Sequence, residues 1–248
     1  MEAEYDQMAD EYDATREVPT TEEVEAIRDA ISDGNSLLDI GIGTGRFAKP
    51  LTEAGVDVTG VDVSRRMLLK AREKGLDKVV LGDAYSLPLR DKTFDSAVII
   101  HVLHVVADWR RVMREAARVT RGNVVSILRV QEPSPFQVPG QSASPAPGAS
   151  PGSYPVRTQH RMWQNEQELL AAAPPRRLER IRDEVVEVSV AEAFRRLDAK
   201  RPFGGQIVPP EFKEQMMSRI MEMAGSQVVH RRIAEDLAVW SADQLSAL

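Results

Sequence analysis

Cysteine is missing from all 248 residues. That absence excludes a disulfide framework, a thiol nucleophile and any zinc site built on thiolates, and it fits a reducing compartment. A basic surplus is missing too: 38 acidic side chains face 32 basic ones, for a formal net charge of −6. A protein whose main task is to grip a phosphate backbone needs a basic surface, so nucleic acid is disfavoured as a partner. No apolar run reaches the roughly 18 residues of a membrane-spanning helix. The opening "MEAEYDQMADEYDATRE" lacks the positive and apolar regions of a secretion signal. Of the four histidines, His160 and His230 stand alone, and His101 and His104 have no carboxylate partner close in sequence. Metal-independent chemistry in a cytoplasmic protein without a membrane span is the expectation.

Charge is spread unevenly. Residues 1–33 hold twelve Asp or Glu against Arg16 and Arg28, leaving a mildly basic remainder. An acidic front of this kind reads as a solvated helical face or as a cap over a cationic ligand.

From residue 35, apolar runs and punctuation alternate in the manner of strands and helices. Strands are expected at 36–40, 57–61, 78–81, 94–100 and 123–129, with helices at 45–54, 64–74 and 107–119 between them. Such alternation implies right-handed crossovers and a parallel sheet covered on both faces. "SAVII" and "NVVSIL" have the continuous apolar character of doubly buried strands. Helices are expected before this core at 3–15 and 20–32, the second capped by Thr20 or Thr21 with acids in its first turn. The pattern breaks at 131–158, where seven of the fifteen prolines fall together with three glycines and five serines; this segment can be neither helix nor central strand. A helix at 164–172, a strand at 181–189, helices at 190–199 and 209–224 and a strand at 227–240 follow, the last strands adding to the edge of the same sheet.

The chemistry-bearing stretch is "LLDIGIGTGRFAKPL", Leu37 to Leu51. A strand, a glycine turn and a helix opening offer a ligand backbone N–H groups and close backbone approach. A dinucleotide fingerprint, G-x-G-x-x-G, is met by Gly41 and Gly43 but fails at Arg46, so an NAD-dependent oxidoreductase is a distant reading. The third glycine, Gly45, comes one residue early, and close packing of helix on strand is not expected at the failed position. Asp62, twenty-one residues after Gly41, is placed to accept from ribose hydroxyls. Ser64 is placed to cap the next helix, with Met67 one turn in.

The D-x-G-x-G-x-G run from Asp39 to Gly45 resembles motif I of the class I S-adenosylmethionine-dependent methyltransferases, and "GVDVS", "LGDAYSLPLRDKTFD" and the fourth strand follow in that family's order over residues 36–129. The resemblance implies a doubly wound α/β, Rossmann-like methyltransferase fold: a mostly parallel seven-stranded sheet with an antiparallel last strand and helical lid elements at both ends. It implies S-adenosylmethionine as cofactor and S-adenosylhomocysteine as product. Asp39 would orient the cofactor's amino group over Gly41, Gly43 and Gly45. Asp62 and Val63 would meet the ribose, Met67 the adenine face, and Asp83 and Ala84 the adenine edge. The opening resembles the Y-D-x-x-A-x-x-Y-D element of small-molecule methyltransferases, which makes Tyr12 and Arg16 cofactor contacts and Tyr5 their neighbour. His101 and His104, in "HVLHVVADWRR", are candidates for cofactor packing (His101) and for a general base acting on the acceptor (either).

"FRRLDAKRPFGGQIVPPEFKEQMMSRIMEMAG" resembles a segment of the type 11 methyltransferases related to ubiquinone biosynthesis, where a helical insertion covers the acceptor. Met216, Met217, Ile220, Met221 and Met223, with Trp163, Phe194 and Phe203, then imply an apolar or aromatic small molecule receiving the methyl on O, N or C. The alternatives are an RNA or protein methyltransferase, or an inactive scaffold that binds the cofactor. An N-P-P-Y element after the fourth strand, expected of amino-methylating nucleic-acid enzymes, is replaced by "IHVLH". The expected organisation is a helical cap at 1–34, a cofactor core at 35–130, the insertion at 131–158 and an acceptor-covering part at 159–248, in a monomer or homodimer.

Overall fold

Leu38 and Ile40 point to one side of the first strand and Leu37 to the other, so the strand must be covered on both faces. In the computed structural model, which describes residues 6, 9–10, 12–31, 34–130, 157–189, 218–219, 222 and 228–248, this is what occurs. Strand β1 (Ser36–Ile40) lies between β2 (Asp57–Asp62) and β4 (Ser96–Val98). With β3 (Val79–Leu81), β5 (Asn123–Arg129), β6 (Arg177–Ser189) and β7 (Val228–Ser241) they form one sheet of order β3-β2-β1-β4-β5-β7-β6. The ladders from β3 through β5 are parallel, and β7 runs antiparallel to β5. The order reverses between β1 and β4, the switch point beside which open α/β sheets bind ligands.

Helices α1 (Thr21–Ala30), α2 (Ala48–Glu53), α3 (Arg65–Glu73), α4 (Trp109–Val119), α5 (Arg157–Ala172) and α6 (Ala242–Leu245) complete the described elements. One buried cluster joins Leu38, Ile40 and Ile99 to Trp109, Met113, Leu169 and Trp240. The other joins Leu37, Val58 and Val98 to Ile27, Leu51 and Ala71. Thr20 is the cap of α1: its Oγ1 accepts from Glu23 N at 3.2 Å and Glu23 Oε2 accepts from Thr20 N at 2.6 Å, a reciprocal capping box. Asp95 fastens the starts of β1 and β4 together by accepting from Ser36 Oγ at 2.7 Å and from Arg121 Nη2 at 2.6 Å.

The chain divides into two compact units. The first takes residues 1–129, 162–182 and 235–248, and the second 130–161 and 183–234. In the second, Arg232 pairs with Asp183 at 2.6 Å and His230 lies 3.2 Å from Glu187. Everything that follows concerns the first.

Strands 36–40 and 123–129 have the expected bounds. The helix expected from 45 begins only at Ala48, because Gly45 has φ +79°, outside the helical region. The strand expected over 94–100 shrinks to Ser96–Val98 as the chain turns out of the ladder toward His101. Of the helix expected over 3–15, Asp6 is helical and Asp13–Thr15 form a 3-10 turn, while residues 3–5, 7–8 and 11 lie outside the described residues. α5 begins seven residues earlier than expected, at Arg157. Residues 131–156, the expected helix 190–199, most of 209–224 with its methionines, and Phe194, Phe203 and Tyr5 lie outside the described residues. Among the described residues, no helix is long and apolar enough to cross a membrane.

Candidate functional site

The glycine turn leaves β1 with φ +78° at Gly41 and +56° at Gly43, a region that side chains with a Cβ enter at a cost of about 1–2 kcal/mol. At Gly41 a Cβ would strike the Val102 side chain, but at Gly43 nothing lies within 4 Å. The open space at Gly43 is a cradle that a methyl group would begin to fill. Gly45 faces inward: a Cβ there would strike Leu76 Cδ1, with Ala71 Cβ at 3.6 Å. The close approach at Gly45 is thus to α3 and the residues just beyond it, not of the following helix to β1.

Asp62, at the end of β2, holds this turn in shape. Its Oδ2 accepts from Gly43 N at 2.8 Å and its Oδ1 from Ser64 N at 2.8 Å. Burial pushes its carboxyl up, while the N–H groups of Ser64, Gly43 and Val63 oppose the shift. Asp39 is buried, 4% exposed. Burial first and the neighbouring Asp62 second raise it to about 7, against the field of Arg46. Ser64 Oγ caps α3 by accepting from Met67 N at 3.1 Å, and Met67 itself is 2% exposed. Asp83 is exposed just beyond β3, its Oδ1 accepting from Tyr85 N at 2.9 Å, and Ala84 packs half-buried against the core.

The acidic front reaches this turn. Asp6 Oδ1 accepts from Ser64 Oγ at 2.5 Å, Asp10 pairs with Arg66 and with Lys70 at 3.2 Å, and Asp13 accepts from Thr44 Oγ1 at 2.5 Å and pairs with Lys74 at 2.6 Å. Arg46 Nη1 donates to Glu17 O at 2.6 Å. The Arg16 guanidinium lies 4.8 Å from the centre of the half-buried Tyr12 ring. Asp39, Asp62, the three glycines and the segment bearing Tyr12 and Arg16 are therefore parts of one assembly.

On the other side of the switch point, His101 takes the left-handed backbone, φ +58°. Its ring sits 6.2 Å from that of Phe47 and 6.4 Å from that of His104. Burial and then the charges of Arg129 and Arg46 hold it well below the usual histidine range. The imidazole is accordingly neutral near pH 7 and a weak proton acceptor. Arg129, ending β5, donates to Glu235 Oε1 at 3.3 Å. Glu235 is 2% exposed, and burial and Glu23 raise it to about 7. Asn165 of α5 ties the loop after His101 in place, donating to both Leu103 O and Val106 O at 2.8 Å.

Residues 38–128, which contain the turn and its carboxylates, match the model of the methyltransferase domain family. This segment is similar to methyltransferase domains. The chain is 34% identical to a demethylmenaquinone methyltransferase of Paenarthrobacter aurescens over 125 residues, 47% of this chain and 49% of that protein. It is 42% identical to a phosphatidylethanolamine N-methyltransferase of Cereibacter sphaeroides over 103 residues, 38% of this chain and 50% of that protein. The chain spans about half the length of the curated relatives it matches. A solved S-adenosylmethionine-dependent methyltransferase of Thermotoga maritima, described as a possible histamine N-methyltransferase, superposes with a TM-score of 0.52. That likeness covers 98% of this chain and 100% of the other at 18% identity, and shows a shared Rossmann-like methyltransferase fold.

Three features of residues 38–128 and their surroundings were missed by sequence reasoning: the Asp62 bridge to Gly43, the Asp13 bond to Thr44, and the group of Arg129, Glu235 and Glu166. Only the last left a trace. Glu166 lies three residues before Leu169, on the apolar stripe of α5, where a carboxyl is out of place.

Proposed function

We propose that the chain is an S-adenosylmethionine-dependent methyltransferase acting on O, N or C of a small, apolar or aromatic molecule. The observation that carries this reading is the open space beside Gly43, whose N–H is bonded to Asp62, the neighbour of buried Asp39. Those groups fit the cofactor: a cationic amino group suits Asp39, and two ribose hydroxyls suit the Asp62 carboxylate. Asp83 and the Ala84 N–H would receive the adenine edge, Met67 the adenine face, Val63 the ribose beside Asp62, and Tyr12 and Arg16 the sulfonium and carboxylate. When bound, the cofactor supplies a methyl group already activated on sulfur. The chain's part is to hold the acceptor in line and exclude water. The relatives named for demethylmenaquinone support a small-molecule acceptor, and the lack of cysteine supports a cytoplasmic setting.

Calorimetric titration with S-adenosylmethionine, S-adenosylhomocysteine and NAD tests the reading. Binding of both adenosyl ligands, lost in Asp62→Ala, is the expected outcome. Binding of NAD alone, or of none, refutes it.

A further inference from the structure

Glu166 is 8% exposed, and among the described residues it makes no hydrogen bond or ion pair. Its oxygens keep a little exposure to solvent, but a nearly buried carboxyl on an apolar helix face still calls for a reason. Its place in the fold supplies one. Glu166 sits on the face of α5 that carries Leu169, which with Ala173 just beyond the helix packs with Leu103, Val106 and Trp109. The adjacent Asn165 is bonded to the loop that leaves His101, so the carboxyl is held beside the carboxyl ends of β4 and β5. Arg129 is the charged group that bears on it, and the same Arg129 bears on His101. That arginine is already committed to Glu235 at 3.3 Å, and nearby Arg110 faces Glu168 at 3.7 Å.

Resting on the methyltransferase reading, we infer that Glu166 receives the proton of the methyl acceptor, and that the acceptor presents an O–H or N–H nucleophile. The acceptor's proton passes to the Glu166 carboxylate as its O or N bonds the methyl carbon. The electron pair of the broken carbon–sulfur bond stays on sulfur, and the proton then leaves to solvent. Burial raises Glu166 to about 7 although Arg129 opposes the shift, which suits a group that takes up and returns a proton near neutrality. His101, kept neutral and weakly basic by its cationic neighbours, is left to pack and position.

The full chain is tested as wild type, Glu166→Gln and Glu166→Asp. S-adenosylmethionine binding is followed by calorimetry, and methyl transfer from labelled cofactor to 1-naphthol, catechol and phenethylamine is followed from about pH 5 to about pH 9. Independently of turnover, dicyclohexylcarbodiimide, an apolar reagent for protonated carboxyls, is applied to the protein bound to S-adenosylhomocysteine, and the labelled peptide is identified by mass. Cofactor binding is expected to be equal in all three proteins, which also shows that the variants fold. In Glu166→Gln, kcat should fall about 100-fold or more with KM little changed. The acidic limb of the wild-type profile should vanish, and Glu166→Asp should regain part of the rate. Carbodiimide should label Glu166 below neutrality and not in alkali. If Glu166→Gln keeps the wild-type kcat and acidic limb, or Glu166 is not labelled, the inference falls while the methyltransferase reading stands. If the wild type binds cofactor but methylates none of the probes, the assigned acceptor class falls. If the wild type does not bind the cofactor, the reading beneath falls.

Discussion

The acidic N-terminal segment and the glycine turn it touches are held by different physics. Asp6, Asp10 and Asp13 reach α3 and Thr44 through hydroxyls and through ion pairs whose side chains stay one-third to one-half exposed. Gly41, Gly43 and Gly45 are fixed by left-handed backbone, by contacts that exclude a Cβ at two of them, and by the Asp62 carboxylate. Exposed ion pairs are weak singly and screened by salt, whereas steric exclusion and buried bonds are not. One region is therefore held by releasable, salt-screened interactions and the other by packing and buried bonds.

The largest effect should come from breaking the permanent side. Asp62→Ala removes two bonds to N–H groups and the proposed ribose contact. At about 1.5–3 kcal/mol for each bond to a charged group, adenosyl ligand binding should weaken by about 100-fold or more in calorimetry. Next come two glycines that separate packing from ligand space. Gly45→Val should lower stability in denaturant unfolding by about 2–4 kcal/mol, from overpacking against Leu76 together with its positive φ. Gly43→Ala should cost only about 1 kcal/mol of stability yet weaken adenosyl binding more than Gly45→Val does in whatever fraction remains folded. Equal effects of the two on binding would mean that the space at Gly43 is not a cradle.

pH separates the regions in a third way. Asp39, Glu166 and Glu235 are each raised to about 7 by burial. The folded chain holds protons there that the unfolded chain has already lost. Their stabilising contribution is therefore complete below the ordinary carboxyl range, declines as pH rises through about 7, and is then gone. Asp95 has the opposite sign. Its bonds to Ser36 first and to Arg121 hold it down to about 2, so its contribution is present above the ordinary range and disappears as pH falls through about 2. Unfolding midpoints should fall from mildly acidic to mildly alkaline solution, and Glu235→Gln should flatten that slope.

The smallest effect belongs to the releasable side. Asp10→Asn should leave global stability nearly unchanged. In stopped-flow measurements it should speed dissociation of the adenosyl ligand severalfold at low salt, with the difference from wild type vanishing at high salt. A salt-independent difference would show that Asp10 acts through local packing and not through charge.

The core strands and the glycine turn were readable because they rest on local rules. Apolar runs bounded by turn residues specify strands, and glycines in a turn after a strand announce positive φ before any coordinate is known. Even so, the boundary at Ala48 was misread, since the same glycines that mark the turn delay the helix. The group around Arg129 was far less legible. Glu166, Arg129 and Glu235 come from α5, β5 and β7, separated by tens of residues, and no spacing rule joins them.

By itself the sequence determined an α/β sheet with a glycine turn and acids at the ends of its first strands, because hydrophobic period, turn chemistry and the absence of cysteine act within a few residues. Only the tertiary structure decided that Asp62 fastens the turn at Gly43, that Gly45 lies against α3 and Leu76, that His101 is surrounded by cations, and that Glu166 is nearly buried within the field of Arg129. Those are properties of dielectric and proximity, and both are set by which distant elements the sheet brings to one edge.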